Sequence, residues 1–547
     1  LDAAARILDG GRLYVDVVEI NPPLIVGLNA VTVWVARVLG LSEILVYRVG
    51  FTSVLLLLLW LSVRLLRELL PADAALHRAV VLVLAFVLFP LAGSDYGERE
   101  HLVLALLLPY VLLATARSLG HGVTRGQGLA LGAMAGFAFA LKPHFLLLAP
   151  AVECLLRSTR RVAWRALLPE TLAIAAVLTA YLILIATLTP DYFRLVGLLA
   201  GSYSRFLHDP FWRVLATAPG AVLALFALLA FVALRRHAHH ATLWQTSALA
   251  TAACVVAGAA QQKGLSYHLY PAVGFATLLL ALVAADTLPS VQSRVRRVYR
   301  ALAAAMLAAM VAVTAAGLVV GVAGRTGDPE QEQFEELVRL VRARDPNEGV
   351  FVMSYHLRSA YPLINYTGAR SASRFPHLWI LAAEYLDRLK SERPLWYREW
   401  DEMSASERYL NRAVLEDLQR RPKLLLVLRP ARDLPVNGYR RLDYIAYFGR
   451  NPAISRILQE YQLVAGTGDY QLYERLMSGS RRTAPPPVVN PGTQDIHVIR
   501  EAGAWLRFAD PRMLIALLAF VAVFAAGLVR PWSGGQPQAV PQRFEGT

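Results

Sequence analysis

A polytopic α-helical membrane protein carrying a small α/β domain on its outer side is the fold class this sequence predicts, and three observations predict it. Of 547 residues, 56% are apolar and the mean hydropathy is +0.43, outside the range of soluble domains. Apolar runs near the length of a bilayer crossing recur at 43–63, 79–94, 101–117, 128–141, 143–157, 167–189, 215–235, 243–261, 266–287, 301–323 and 512–530, which makes about eleven spans. Between the last two runs lies a stretch of ordinary soluble composition, 325–510.

The chain opens on Leu1 with a polar amphipathic stretch, and a first span is expected ahead of it, giving about twelve crossings. The run from Pro22 to Gly40 is read as a helix lying along the outer surface. Asn21-Pro22-Pro23 starts it, since proline suits a first helical turn, and Arg37 is poorly placed for a full crossing. Residues 1–42 are therefore an outer amphipathic loop with an interfacial helix, and 43–324 are the transmembrane core.

Loop charge sets the orientation. The loops at 64–78, 117–126, 157–166, 235–242 and 287–300 hold 15 arginines, whereas those at 94–101, 142–144, 190–214 and 261–268 hold 6 Lys or Arg. The first set is cytoplasmic by the positive-inside rule and the second faces outward. Segment 325–510 then lies outside the cytoplasm. Glu330–Arg344 and Ser404–Arg420 are helix patterns, Val350–Ser354 and Lys423–Leu428 are strands, and pieces around Gly466 and Tyr470–Tyr473 form a closing hairpin. Arg481–Pro491 is an extended proline-rich linker, 511–530 a last span and 531–547 a disordered cytoplasmic tail.

The net charge of +15 comes from arginines in short loops between apolar runs, which argues against nucleic acid as a partner. Cys154 and Cys254 each sit in an apolar run and offer neither a disulfide framework nor a CxxC site. The sequence contains no Walker loop, dinucleotide fingerprint or repeat of 20 to 50 residues.

The outward loops concentrate the chemistry. Asp16-Val17-Val18-Glu19-Ile20-Asn21-Pro22-Pro23-Leu24 sets two carboxylates three residues apart before the surface helix. Either could serve as a base for an acceptor hydroxyl, or as a solvated acid or helix cap. Asp95, Glu98, Arg99, Glu100 and His101 place five ionisable groups in seven positions between two spans. That cluster suits a divalent cation through its acids, or a phosphate through Arg99 and His101; a self-neutralised turn is the alternative.

The chain has 51 Arg but 4 Lys, and two of the four, Lys142 beside His144 and Lys263 near Tyr267 and His268, lie at the outer ends of spans. A compact ammonium next to histidine suits a phosphate oxygen; snorkelling is the competing reading. Tyr203–Arg213 adds two arginines among aromatics, as in an interfacial helix. Arg358, Arg370, Arg374, His377 and Trp379 make a basic aromatic stretch in the outer domain.

Taken in order, Asp-x-x-Glu-x-Asn-Pro-Pro-Leu, an interfacial helix, a Glu-Arg-Glu-His hairpin and a Lys-Gly-x-x-Tyr-His loop resemble the GT-C superfamily of membrane glycosyltransferases. The likeness is to the branch of protein mannosyltransferase-like, aminoarabinose transferase-like and rhizobial galacturonosyltransferase-like enzymes, and it covers about residues 1–325. It implies a GT-C-type fold in a bacterial cytoplasmic membrane. The implied reaction is inverting transfer of a hexosyl or pentosyl group from a polyprenyl phosphate to a glycan, lipid or protein acceptor on the outer face. By that resemblance Asp16, or in second place Glu19, is the base. Asp95, Glu98 and Glu100 assist the acceptor or a metal, and Arg99, His101, Lys142, His144, Lys263, Tyr267 and His268 meet the donor phosphate. The departure is the spacing of Asp16 and Glu19, where many members carry an adjacent acidic pair. A transporter or lipid flippase would share the span count but place its ionisable groups near the midplane; a non-catalytic scaffold would not need clustered acids.

Overall fold

The computed structural model describes residues 1–476 except 72, 159–166, 287–293, 323–328, 345, 358–359, 362, 390–395 and 430–441. The expected linker 481–491, last span 512–530 and tail 531–547 lie outside the described residues.

The first part of the chain is helical: α1 (Asp2–Leu8), α2 (Leu24–Leu39), α3 (Glu43–Leu69), α4 (Ala74–Leu88), α5 (Arg99–Leu119), α6 (Arg125–Leu141), α7 (Leu148–Ser158), α8 (Pro169–Leu188), α9 (Asp191–Arg205), α10 (Phe211–Thr217), α11 (Pro219–Leu234), α12 (Ala241–Ala260), α13 (Tyr270–Ala285) and α14 (Arg294–Val322). Among the described residues seven segments are long and apolar enough to cross a membrane: Glu43–Leu69, Ala74–Gly93, Arg99–Leu119, Pro169–Leu188, Pro219–His237, Ala241–Ala260 and Ser266–Ala285. The chain is a multi-pass membrane protein. Helices α5, α12 and α13 form the buried centre, with Leu104, Leu107, Cys254, Phe275 and Leu279 inaccessible to solvent.

Three expected crossings within the described residues are not among these seven: 128–141 and 143–157, which fall on α6 and α7, and 301–323, on α14. Helix α6 has 17 residues and α7 has 11, about 26 and 17 Å, against a hydrocarbon core of about 30 Å. The cause is Pro143, which cannot donate an intrahelical hydrogen bond; a 3₁₀ turn, Pro143–Leu147, fills the gap between them. The break leaves Lys142 at the C-terminal end of α6. Close approach of α6 to α8 compensates for its short length. A Cβ on Gly132 would lie 2.4 Å from the backbone of Glu170, and one on Gly136 would lie 2.9 Å from Val177, the small-residue packing of membrane helices.

Helix α2 has 16 residues, and Val31, Trp34, Val38 and Leu39 are exposed. Arg37, awkward for a crossing, pairs instead with Asp9 at 2.8 Å.

After α14 the chain builds a sheet. Helix α15 (Pro329–Arg342) leads to β1 (Val350–Met353), then α16 (Leu363–Thr367), α17 (Trp379–Glu384), α18 (Leu386–Leu389) and α19 (Ala405–Gln419) lead to β2 (Leu424–Leu428), and α20 (Tyr444–Gly449) and α21 (Pro452–Leu458) precede the hairpin β3 (Tyr461–Thr467) and β4 (Tyr470–Arg475). The strand order is β1-β2-β4-β3, with β1 and β2 parallel and the other pairs antiparallel. Strands β1 and β2 are apolar at every position and buried on both faces, as a strand covered on two sides must be. Phe351, Met353, Leu425 and Val427 face a core that includes Tyr14, Val18, Leu195 and Leu199; Val350, Val352, Leu424 and Leu426 face α15 and α16.

The sheet domain thus rests on the first loop and on α9. Val18 N–H donates to the Arg374 carbonyl at 2.7 Å, and Arg6 Nη1 to the Ser373 carbonyl at 2.9 Å. Glu384 accepts from Ser202 at 2.6 Å and from Arg205 at 2.8 Å, and pairs with Arg398 at 3.0 Å. Arg398 also pairs with the fully buried Glu407 at 3.0 Å. Removing the cation leaves Glu407 buried without its counter-ion, a loss of about 3–5 kcal/mol, while Glu384 keeps Arg205. Arg398→Ala is therefore expected to lower the Tm of the purified protein clearly, whereas Arg456→Ala, at an exposed position of α21, changes it little.

Candidate functional site

The C-terminal ends of α4, α6 and α12 converge with the N-terminal ends of α5 and α13. The hairpin between α4 and α5 is pinned from several sides: Tyr47 Oη donates to the Gly97 carbonyl at 2.5 Å, and the Tyr96 and Thr52 hydroxyls are 2.5 Å apart. Gly97 has φ +91°, and a Cβ there would meet the Tyr47 ring, so glycine is required. This hairpin aims Arg99 and Glu100 at the start of α5.

Glu100 is fully buried, and Lys142 Nζ lies 2.6 Å from its Oε1. Lys142 Nζ also donates to Gln261 Oε1 at 3.3 Å, and His268 Nε2 lies 3.7 Å from Glu100 Oε1. Glu100 Oε2, Gln261 Nε2 and His268 Nδ1 are buried without a hydrogen-bond partner among the described residues. A buried polar atom left unpaired is costly. Three of them around one ammonium describe a site built for a polar ligand.

Arg99 ties this centre to the first loop. Its Nη1 donates to Asn21 Oδ1 at 2.6 Å, while Asn21 donates to Glu19 Oε1 from its backbone N at 3.0 Å and from Nδ2 at 2.6 Å. The fields of Glu19, Arg99 and Glu100 all reach the Tyr203 hydroxyl, and those of Glu100, Glu98 and Arg99 reach Tyr267. Asp16 is held elsewhere: its carboxylate accepts from Arg12 N at 2.9 Å and sits 3.7 Å from Arg12 Nε. The two candidate bases thus part company, and Glu19 is the one joined to the charged cluster.

The other expected residues divide. His144 is exposed near the cluster, in the fields of Lys142, Glu100 and Arg99, and Tyr267 stacks edge-on with His268 at 4.5 Å. His101 departs from the phosphate-binding role expected for it. It is fully enclosed among Phe51, Tyr96 and Tyr270, its Nδ1 accepts from Gly97 N at 3.3 Å and its Nε2 donates to the Leu88 carbonyl at 2.9 Å. With both nitrogens engaged it shapes the hairpin.

Lys263 also has another task. Its Nζ donates to the carbonyls of Tyr203 and Phe206 at 2.5 and 2.6 Å and lies 4.3 Å from the Tyr203 ring centre. Burial brings its ammonium down to about 8. It braces the end of α9 against the α12–α13 loop, whose Gly264, at φ +61°, leaves room for Asp209.

Asp95, Glu98 and Glu100 do not gather as metal ligands; among the described residues the grouping of metal-ligand type lies elsewhere. Burial pushes the Asp95 carboxyl up to about 7, with Glu98 and Glu100 adding to the effect. An acid whose pKa is raised on folding binds its proton more tightly when folded. Its contribution to stability is therefore complete below about pH 4 and is lost as pH rises toward 7. Asp95→Asn is expected to remove that part of the pH dependence, read as the slope of Tm between pH 4 and 7; an unchanged slope would contradict the assignment.

In the outer domain, Arg374 is paired with Glu416 and Asp417 at 2.7 and 3.0 Å and Trp379 is buried, so neither is a free ligand group. Arg358 lies outside the described residues. Gln261 and Asn21 were the partners hardest to single out, because amides carry no charge signal; their adjacency to Lys263 and to the prolines was the available clue.

No protein-family model matches the chain, and no curated protein matches it in sequence. In fold it is similar to ArnT from Cupriavidus metallidurans, whose crystal structure is of the form bound to undecaprenyl phosphate. The TM-score is 0.50 at 12% sequence identity, covering 87% of this chain and 92% of that one. At this identity the likeness speaks to fold alone.

Proposed function

We propose that the chain is an inverting glycosyltransferase that moves a sugar from a polyprenyl phosphate to an acceptor hydroxyl at the outer face of a bacterial cytoplasmic membrane. The observation that carries this reading is the buried Lys142–Glu100 pair, ringed by unpartnered polar atoms of Gln261 and His268, at the outward ends of spanning helices. The ArnT structure holds undecaprenyl phosphate, and a lipid with one phosphate meets the needs of such a site. Its tail stays between helices while its head reaches the cations.

In the reaction the acceptor oxygen bonds to the anomeric carbon as the bond from that carbon to the phosphate oxygen breaks. The electron pair leaves on the phosphate, so a positioned cation counts for more than a strong general acid. Lys142 is the ammonium for that charge, with Arg99 and His268 beside it. Glu19, oriented by Asn21 and through it by Arg99, takes the acceptor proton. This reverses the order that the family resemblance implies for Asp16 and Glu19. Lys263, His101 and Asp95 shape the walls.

The proposal is tested by thermal stabilisation of the full-length protein with undecaprenyl phosphate and, separately, undecaprenol. A concentration-dependent rise with the phosphate and none with the alcohol is expected; equal effects would reduce the interaction to tail burial.

A further inference from the structure

A second cluster lies at the opposite ends of the same helices. Asp73 caps α4, His240 precedes α12 and Asp286 follows α13. Helix α12 has 20 residues, so its two ends are about 30 Å apart, one hydrocarbon core from Gln261 and Lys142.

Asp286 is 2% exposed. Its Oδ2 accepts the His240 backbone N–H at 2.9 Å and the Trp244 indole N–H at 2.8 Å, and its Oδ1 lies 2.8 Å from His240 Nδ1. One ligand atom from each of Asp73, His240 and Asp286 lies within 4.8 Å of the other two. Small side-chain rotations bring such atoms to the edges of a tetrahedral site with bonds of about 2.1 Å. Of the three histidines in Arg235-Arg236-His237-Ala238-His239-His240, His240 is the one whose ring joins the two carboxylates.

From these we infer that Asp73, His240 and Asp286 bind a divalent cation of the zinc class, clasping the connections that lead into α4 and α12 to the end of α13. The donor set is one imidazole nitrogen and two carboxylate oxygens. Magnesium and calcium seek shells of oxygen, whereas an imidazole in a compact site favours zinc and its neighbours. Two carboxylates held together repel, and a dication cancels that charge; Asp73 and His240 are half-buried, which leaves an entry path.

The test is zinc content of full-length protein in detergent after equilibrium dialysis, together with Tm with and without zinc. One zinc per chain and a higher Tm in zinc are expected for the wild type. Both should be lost in His240→Gln and weakened in Asp73→Asn, whose amide oxygen can still cap α4, while His237→Gln/His239→Gln keeps both. Absence of stoichiometric zinc in the wild type, or equal zinc in the His240 and Asp73 variants, would overturn the inference and leave the cluster a hydrogen-bonded clasp.

Discussion

Lys142→Met is expected to cut sugar transfer from a polyprenyl phosphate by about 10²–10³-fold, the usual effect of removing one preorganised donor from a developing oxyanion. The ammonium is 7% exposed and is the closest cation to the carboxylate of Glu100. The single variant leaves that carboxylate buried and unpaired, at a cost of about 3–5 kcal/mol, so instability alone could silence it. The companion is Lys142→Met/Glu100→Gln, which removes both charges from a site of similar volume. It should recover most of the wild-type Tm and still fail to transfer. Recovery of activity along with stability would show that Lys142 only neutralises Glu100.

Glu19→Gln is expected to lower turnover by about 10²–10⁴-fold, the range of a general base, with donor affinity nearly unchanged. Glutamine keeps the hydrogen bonds that Asn21 gives to Glu19 Oε1 at 3.0 and 2.6 Å, so the loop keeps its course and only the proton acceptor is lost. Asp16→Asn should reduce turnover far less, because Asp16 serves Arg12 and the local turn. The opposite ranking would return the base to Asp16 and remove Glu19 from the mechanism. The split between turnover and binding matters, since loss of fold would move both.

The predicted strands were legible because Val350–Met353 and Leu424–Leu428 are short, unbroken apolar runs, and the helix patterns before them show the 3.6-residue period. The seat of that domain on α9 was not. Ser202, Glu384, Ser406 and Arg398 form its polar joint, and nothing local in the sequence couples residues almost two hundred positions apart. The division of 128–157 was legible too, because Pro143 separates the two apolar runs where the structure ends α6 and begins a 3₁₀ turn before α7.

At the site, the scarcity of lysine singled out Lys142 and Lys263 but gave them the same role. One faces a buried carboxylate, the other two backbone carbonyls, a distinction set by which loop folds over each. His101 misled for a related reason. A histidine in a charged motif reads as a ligand until its ring is found between three aromatic side chains.

The central claim is that this outward cluster transfers sugar from a lipid phosphate. Its most direct test is release of radiolabelled sugar from a panel of polyprenyl-phosphate sugars to glycan, lipid and protein acceptors, in vesicles reconstituted with the wild type and with Glu19→Gln. Transfer by the wild type from at least one donor, lost in Glu19→Gln while that donor still binds, is the predicted result. Solute flux without donor binding or transfer would contradict it and make the protein a transporter.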